Sequence, residues 1–165
     1  MAEKVHFNAH DKKEYPPMHT VEHVINGAMV KLFGTGRSVG THIERMKSRM
    51  DFSVDWEPTD EDAQRLEDEV NAVLMQDLPV TFEVTTQAEA SKYGVDLSRI
   101  PEDASQAVRI AKVGDYDTCL CIGDHVASTK ECGRMVLYSH DYLPEKHRWR
   151  IRFKLEGEDP SYSID

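Results

Sequence analysis

Two pairs of potential metal ligands, each with a spacing of four residues, constrain how this chain can fold. The first pair is His19 and His23, and the second is Cys121 and His125. Residues i and i+4 lie on one face of a helix, so His19 and His23 can bind one ion together. Three imidazoles and one thiolate form a donor set that zinc favours. A shared ion therefore requires a fold that joins His23 to Cys121, 98 positions further along the chain.

Length and composition predict one domain spanning residues 1–165, with 39% hydrophobic residues as core material. No apolar run is long enough to span a bilayer, and the first residues lack an apolar signal region. The three cysteines are odd in number and closely spaced, which argues against a disulfide framework. We therefore expect a cytoplasmic protein that does not associate with membranes. The net charge of −10 argues against non-specific nucleic-acid binding and against a DNA partner.

Apolar periodicity predicts two long helices. The first begins at Met18, after an N-terminal strand and loop over residues 1–16, and ends at Gly34. His19 and His23 lie opposite its apolar face, where a pocket wall is expected. The second helix begins at Thr59 and has one apolar face, formed by Ala63, Leu66, Val70, Val73 and Leu74.

An alternating strand is predicted from Val80 to Val84, and Thr86–Glu89 resembles a capping box that opens a short helix. Further strands are predicted at residues 107–113, 135–139 and 147–155. Residues 141–145 would connect the last two strands as a hairpin. The final strand alternates strictly, with Trp149, Ile151, Phe153 and Leu155 on one side. Residues 156–165 read as a polar, flexible tail. The pattern as a whole predicts one α+β domain.

The first ligand pair admits a second interpretation. Residues 19–23 also fit the H-x-x-E-H pattern of inverzincin proteases, in which Glu22 would activate a water molecule. That interpretation leaves Cys121 and His125 without a role, and it needs a scaffold far larger than this chain. We therefore set proteolysis aside.

An ordered series of short motifs resembles a known family. The series is H-x-x-x-H, Asp-Phe, an acidic helix with Glu and Asn, Pro-Val, C-x-x-x-H-V, T-x-E-x-G and Arg-Ile-x-Phe. In this chain these are residues 19–23, Asp51-Phe52, Glu67 with Asn71, Pro79-Val80, 121–126, 129–133 and 150–153. The chain resembles the editing domain of alanyl-tRNA synthetase, its free-standing AlaX-type relatives and the second additional domain of threonyl-tRNA synthetase.

The resemblance implies an α+β domain with a largely antiparallel sheet packed with helices. It implies hydrolysis of the ester that joins a wrong amino acid, typically Ser or Gly, to the 3′ end of tRNA. The partner is then the acceptor end of a mischarged tRNA, and the cofactor is Zn²⁺ held by His19, His23, Cys121 and His125. No synthetase catalytic domain fits in this length, so aminoacylation is not expected.

The sequence departs from the family at the second ligand pair. The usual C-G-G-T-H is replaced here by Cys121-Ile122-Gly123-Asp124-His125. Ile122 adds bulk, and Asp124 adds a carboxylate that would favour a cationic amino group or a metal. Thr20, Glu22 and Asp124 are therefore candidate catalytic residues around the metal, although each also fits an ordinary helix or loop position.

Several alternatives stay open at this stage. Four protein ligands can fill a tetrahedral zinc ion, as in structural sites, so the protein could be a non-catalytic zinc-stabilised binding module. The same scaffold could also hydrolyse a small amino-acid ester or amide without tRNA. Cys119 could be a spare thiol or an alternative ligand two residues from Cys121, and we favour the spare thiol. Arg148, Arg150, Arg152 and Lys154 are the candidate tRNA-binding residues, but alternation alone also explains them as a solvated outer sheet face.

Overall fold

The computed structural model describes residues 15–44, 46–86, 89, 107–121 and 125–156. It contains helices α1 (Pro16–Phe33) and α2 (Asp60–Leu74) and a short 3-10 helix, Thr129–Cys132. The strands are β1 (Gly40–His42), β2 (Ser48–Ser53), β3 (Val80–Thr86), β4 (Ala107–Val113), β5 (Asp117–Leu120), β6 (Arg134–Leu143) and β7 (Arg148–Glu156). The predicted N-terminal strand, most of the tail and the helix after Thr86 lie outside the described residues.

Both helices form where periodicity predicts them. α1 begins at Pro16, two residues earlier than predicted, because proline is well tolerated in a first turn. It ends at Gly34, whose left-handed backbone (φ 67°) lets its N–H donate to the Val30 carbonyl. A capping box between Thr59 and Asp62 begins α2. The five apolar residues predicted for the inner face of α2 are all buried.

The strands form two antiparallel sheets. The larger has the order β1-β2-β7-β6, and the smaller has the order β3-β4-β5. The predicted α+β class is therefore confirmed. The alternation of β7 is confirmed as well, since its apolar side chains are buried and face the helices.

The pairing of β6 with β7 extends beyond the prediction. Asp141, Tyr142 and Leu143 belong to β6, where they pair with the first residues of β7. The predicted hairpin of the last two strands is confirmed, but the bounds of its connection, 141–145, were wrong, since the observed turn covers residues 144–147. β1, β2 and β5 were not predicted as strands. They are short, and pairing with longer neighbours stabilises them more than their own sequence pattern does.

α1 occupies the centre of the described structure. Its apolar residues share one core with α2 and with the inner face of the larger sheet. It also contacts β4, β5 and the 3-10 helix. α1 is therefore buried on two sides, and its histidine face lies against the smaller sheet. No helix in the described part of the chain has the length and apolarity needed to cross a membrane.

Candidate metal centre

The histidine face of α1 is fixed against the chain around β5. Gly27 lies so close to the Tyr116 ring that a Cβ atom there would approach Tyr116 Cε2 to 2.8 Å. One residue earlier, the Asn26 side chain accepts a 2.7 Å hydrogen bond from the Ser38 N–H. As a result His19 and His23 are almost completely buried, with 5% and 3% of their surface exposed. They lie inside the protein rather than on an open pocket wall.

Cys121 is held by reciprocal contacts with β4. Its N–H donates to the Arg109 carbonyl at 3.1 Å, and the Arg109 guanidinium Nε donates to the Cys121 carbonyl at 2.8 Å. Arg109 also stacks over the Phe82 ring of β3. These contacts fix the backbone of Cys121 directly after β5.

The fold brings all four predicted ligands together. Cys121 Sγ lies 3.2 Å from His19 Nε2 and 3.4 Å from His125 Nε2. One ligand atom from each of the four residues falls within 4.8 Å of the others. Tetrahedral zinc with bonds of about 2.0–2.3 Å places its ligand atoms roughly 3.3–3.6 Å apart. The donor set and its spacing therefore fit Zn²⁺, and metal binding itself stays a prediction.

The electrostatics of the cluster favour a thiolate. Burial opposes ionisation of Cys121, but hydrogen bonds from His125, His19 and His23 lower the pKa of its thiol to about 2. Burial and the neighbouring imidazolium charges lower the pKa of His125 to about 4, against the raising effect of Cys121. A thiolate and a neutral imidazole are the forms that bind a metal ion, so Cys121 and His125 have the form required. Burial lowers the pKa of His19 and of His23, but the contacts of His19 with Cys121 and of His23 with Cys119 and Asp117 outweigh it and raise both, so these two rings would release protons when a metal binds.

Two of the imidazoles are oriented by hydrogen bonds to their other nitrogen. His125 Nδ1 lies 2.9 Å from Thr20 Oγ1, which also accepts the Val126 N–H at 3.3 Å. His23 Nδ1 lies 3.2 Å from Asp117 Oδ2. A proton on each Nδ1 leaves the Nε2 lone pair for a metal, and such contacts fix ligand orientation in metal sites.

Asp117 is in turn held by a guanidinium. Arg37 contacts both carboxylate oxygens, at 2.6 Å and 3.2 Å. Burial alone would raise the pKa of Asp117, but the hydrogen bonds from His23 and Arg37 outweigh it and lower this pKa. The Asp117 carboxylate therefore stays ionised between Arg37 and His23.

The remaining candidate catalytic residues have different placements. Glu22 Oε2 lies 3.6 Å from His19 Nε2, and 19% of the Glu22 side chain is exposed. Glu22 thus lies at the edge of the cluster. Asp124 and Ile122 lie outside the described residues, so their predicted effects stay predictions.

The predicted tRNA-binding residues lie on the outer face of β7. Arg150 forms a bidentate ion pair with Asp51, and Arg148 lies 3.7 Å from the same carboxylate. Arg152 pairs with Asp141 at 2.6 Å, and Lys154 is exposed. Their contact with tRNA stays a prediction, and part of their charge is already compensated within the sheet.

Sequence reasoning missed two residues beside the cluster, because neither Asp117 nor Arg37 was singled out. Cys119 was interpreted as a spare thiol or an alternative ligand, and the spare thiol was favoured. Cys119 Sγ lies 3.0 Å from His23 Nδ1, and Asp117, Cys119 and His23 could themselves surround an ion. The available signal was period-2 spacing, because Asp117, Cys119 and Cys121 lie on one face of an extended chain.

The sequence of this chain is similar to those of known proteins. A profile of the family described as the threonyl and alanyl tRNA synthetase second additional domain matches residues 108–148. The alanine–tRNA ligase of Frankia alni is 36% identical over 126 residues, which cover 76% of this chain and 14% of that protein. That of Treponema denticola is 32% identical over 139 residues, covering 84% of this chain and 23% of the ligase.

A shorter relative shows the same match. The alanyl-tRNA editing protein AlaX-L of Pyrococcus horikoshii is 30% identical over 138 residues, covering 82% of this chain and 32% of that protein. The chain thus spans between 14% and 32% of the length of these relatives. The motif series, the α+β fold and these similarities lead to one conclusion: the chain belongs to the family of alanyl-tRNA synthetase editing domains and AlaX-type proteins.

Proposed function

We propose that this protein is a zinc-dependent hydrolase that deacylates mischarged aminoacyl-tRNA in trans, with Ser- or Gly-tRNA(Ala) as substrate. The observation that carries the proposal is the convergence of His19, His23, Cys121 and His125 in a member of this family. AlaX-L, which is similar over most of this chain, is described as an alanyl-tRNA editing protein. A single domain over residues 1–165 and a cytoplasmic location are part of the same proposal.

The residues of the site have two different roles, metal binding and orientation of the metal-binding rings. His19, His23, Cys121 and His125 would hold Zn²⁺, which can act as a Lewis acid or position the substrate amino group. Thr20 orients the His125 ring, and Asp117 orients the His23 ring. The reaction adds water to the ester carbonyl and breaks the bond to the ribose oxygen, which releases the amino acid.

Glu22 is the residue we assign to proton handling or amine binding. Its carboxylate is partly exposed beside His19, whereas His19, His23 and Cys121 are buried. Oε2 can accept a proton from the attacking water, or it can bind the ammonium group of the substrate. Asp124 is a second candidate for either task.

The decisive experiment measures deacylation of Ser-, Gly- and Ala-charged tRNA(Ala) and Ser-charged tRNA(Thr) by the zinc-loaded protein. We expect turnover of a mischarged species while cognate Ala-tRNA(Ala) is spared. His23→Ala should lose both bound zinc and activity. His147→Asn is the control, because His147 is exposed in the turn between β6 and β7, away from the cluster, and its φ of 52° suits asparagine. Unchanged zinc content in His23→Ala would refute the ligand assignment.

A second candidate function follows from the number of ligands. Four protein ligands can complete a tetrahedral shell, which is typical of a structural site in a binding module. Chelation separates the two functions, because removal of a structural zinc would unfold the protein. Removal of a catalytic zinc should abolish turnover while the far-UV circular dichroism spectrum stays unchanged. Turnover of small amino-acid esters but of no charged tRNA would instead favour a hydrolase for small substrates.

A further inference from the structure

Two arginines face each other on the outer side of the larger sheet. Arg49 of β2 and Arg152 of β7 are direct cross-strand partners. Both point away from the core, because Met50 and Ile151, their neighbours along the strands, are buried on the inner face. Like charges directly opposite each other destabilise a sheet. An anion between the two arginines would remove this repulsion.

The same position forms a depression. It has a volume of about 220 Å³ and is lined by Arg49, Arg152, Lys47, Ser48, Tyr138 and the His42–Glu44 pair. Tyr138 is a large aromatic residue with 43% of its surface exposed. Three cations beside an exposed aromatic ring are a combination typical of nucleic-acid contacts.

Ion pairs on this face distinguish Lys47 and Arg49 from the other cations. Asp51 forms ion pairs with Arg150 and Arg148, and Asp141 forms one with Arg152, whereas Arg49 interacts with Asp51 only at longer range. Among the described residues, no carboxylate lies within ion-pair distance of Lys47 or Arg49. In a chain of net charge −10, this excess of positive charge is local. A polyanion is therefore attracted to the depression rather than to the protein as a whole.

We propose that this depression, formed by Lys47, Arg49, Arg152 and Tyr138, binds the ribose-phosphate backbone of the tRNA substrate. The proposal rests on the proposed function. It places the centre of the tRNA interface where β2 pairs with β7, rather than along β7 alone. Lys47 and Arg49 contact phosphates, and Tyr138 packs against the ribose or a base. Arg148 and Arg150 hold Asp51 and stabilise the sheet.

The test measures binding of deacylated tRNA(Ala) to the zinc-loaded protein by fluorescence anisotropy over a series of salt concentrations. The Lys47→Gln/Arg49→Gln double variant should weaken binding at least about tenfold at low salt. It should also reduce the slope of log K against log salt by about two. The control is Arg65→Gln/Lys130→Gln, which removes two exposed charges elsewhere and should change binding little. Tyr138→Leu should weaken binding without changing the slope.

Each outcome bears on the proposal in a different way. Equal affinity and slope in the double variant and the control would overturn it. Binding of inorganic phosphate that depends on Arg49, without binding of tRNA, would also overturn it in favour of a small-anion site. Loss of tRNA binding with unchanged hydrolysis of a small seryl ester would support it. If the wild type binds tRNA through Arg49 but deacylates no charged tRNA, the interface stands and the proposed hydrolysis fails.

Discussion

Replacement of Asp117 by Asn should loosen zinc without unfolding the protein. The Asp117 carboxylate contacts Nδ1 of the predicted ligand His23 at 3.2 Å. Asn keeps an oxygen that can accept a hydrogen bond, but it removes the negative charge. Its NH₂ group also faces the Arg37 guanidinium, which donates to both oxygens in the native protein. The His23 ring therefore loses its fixed orientation, and its Nε2 atom becomes a weaker ligand.

The size of the effect follows from the contact that is lost. A hydrogen bond to a charged group contributes about 1.5–3 kcal/mol when it is buried. Since about 1.4 kcal/mol corresponds to a tenfold change in affinity, zinc should dissociate roughly 10–100 times more readily. This agrees with the loss of about 10–100-fold that is common when a carboxylate behind a metal-binding histidine is removed.

Asp51→Asn is the matched control. Asp51 and Asp117 each have 5% of the side chain exposed, and each binds an arginine through both oxygens. Asp51, however, lies on the outer face of β2, away from the cluster. Zinc affinity is measured by competition with a chromophoric chelator, and Co²⁺ absorption reports the ligand geometry. Equal zinc affinities for Asp117→Asn and Asp51→Asn, both folded by circular dichroism, would refute the reasoning.

Three further predictions concern the scaffold around the site. Gly27→Ala should displace the Tyr116 ring, because the new Cβ would lie 2.8 Å from Tyr116 Cε2, and zinc affinity should fall even though alanine favours helices. Leu66→Ala, at a fully buried position of α2, should lower the free energy of unfolding by about 2–5 kcal/mol in urea titrations, whereas a loss below about 1 kcal/mol would contradict its placement. Burial would raise the pKa of Asp51, but the hydrogen bond from Arg150 and the positive charges of Arg150, Arg49 and Arg148 outweigh it and lower this pKa. The stabilisation from Asp51 is thus present above its unfolded pKa of about 3.9 and is lost as pH falls through the lower folded value. The stability difference between wild type and Asp51→Asn should therefore be constant between about pH 7 and pH 5 and should shrink below about pH 4, and a difference that grows in acid would contradict this sign.

The parts of the fold that sequence reasoning predicted are those with a long, regular pattern. α1 and α2 repeat their apolar residues over four turns or more, and β7 alternates over its whole length. Such periodicity predicts which face is buried, because it places the apolar side chains on one face and the polar side chains on the other. β1, β2 and β5 were missed because strands of three to six residues carry too little periodicity. Only hydrogen bonds to neighbouring strands define them.

The candidate ligands show the same division. Their identities and their spacing of four residues were readable, because chemistry limits which side chains bind zinc and a helix limits which of them share a face. The residues that orient them were not readable. Asp117 and Arg37 are 80 positions apart, and no local pattern links a loop after α1 to the strand β5.

By itself, the sequence determined the class of fold, the two long helices, the buried face of β7 and the four side chains able to bind one ion. These depend on local spacing and on the chemistry of single residue types. The tertiary structure decided that the four side chains meet and that Thr20 and Asp117 orient two of the imidazole rings. It also decided that Asp51 forms ion pairs with two arginines of β7. These facts depend on which distant segments pack together. That packing is set by burial summed over the whole core and by the register of the sheets, which no short stretch of sequence encodes.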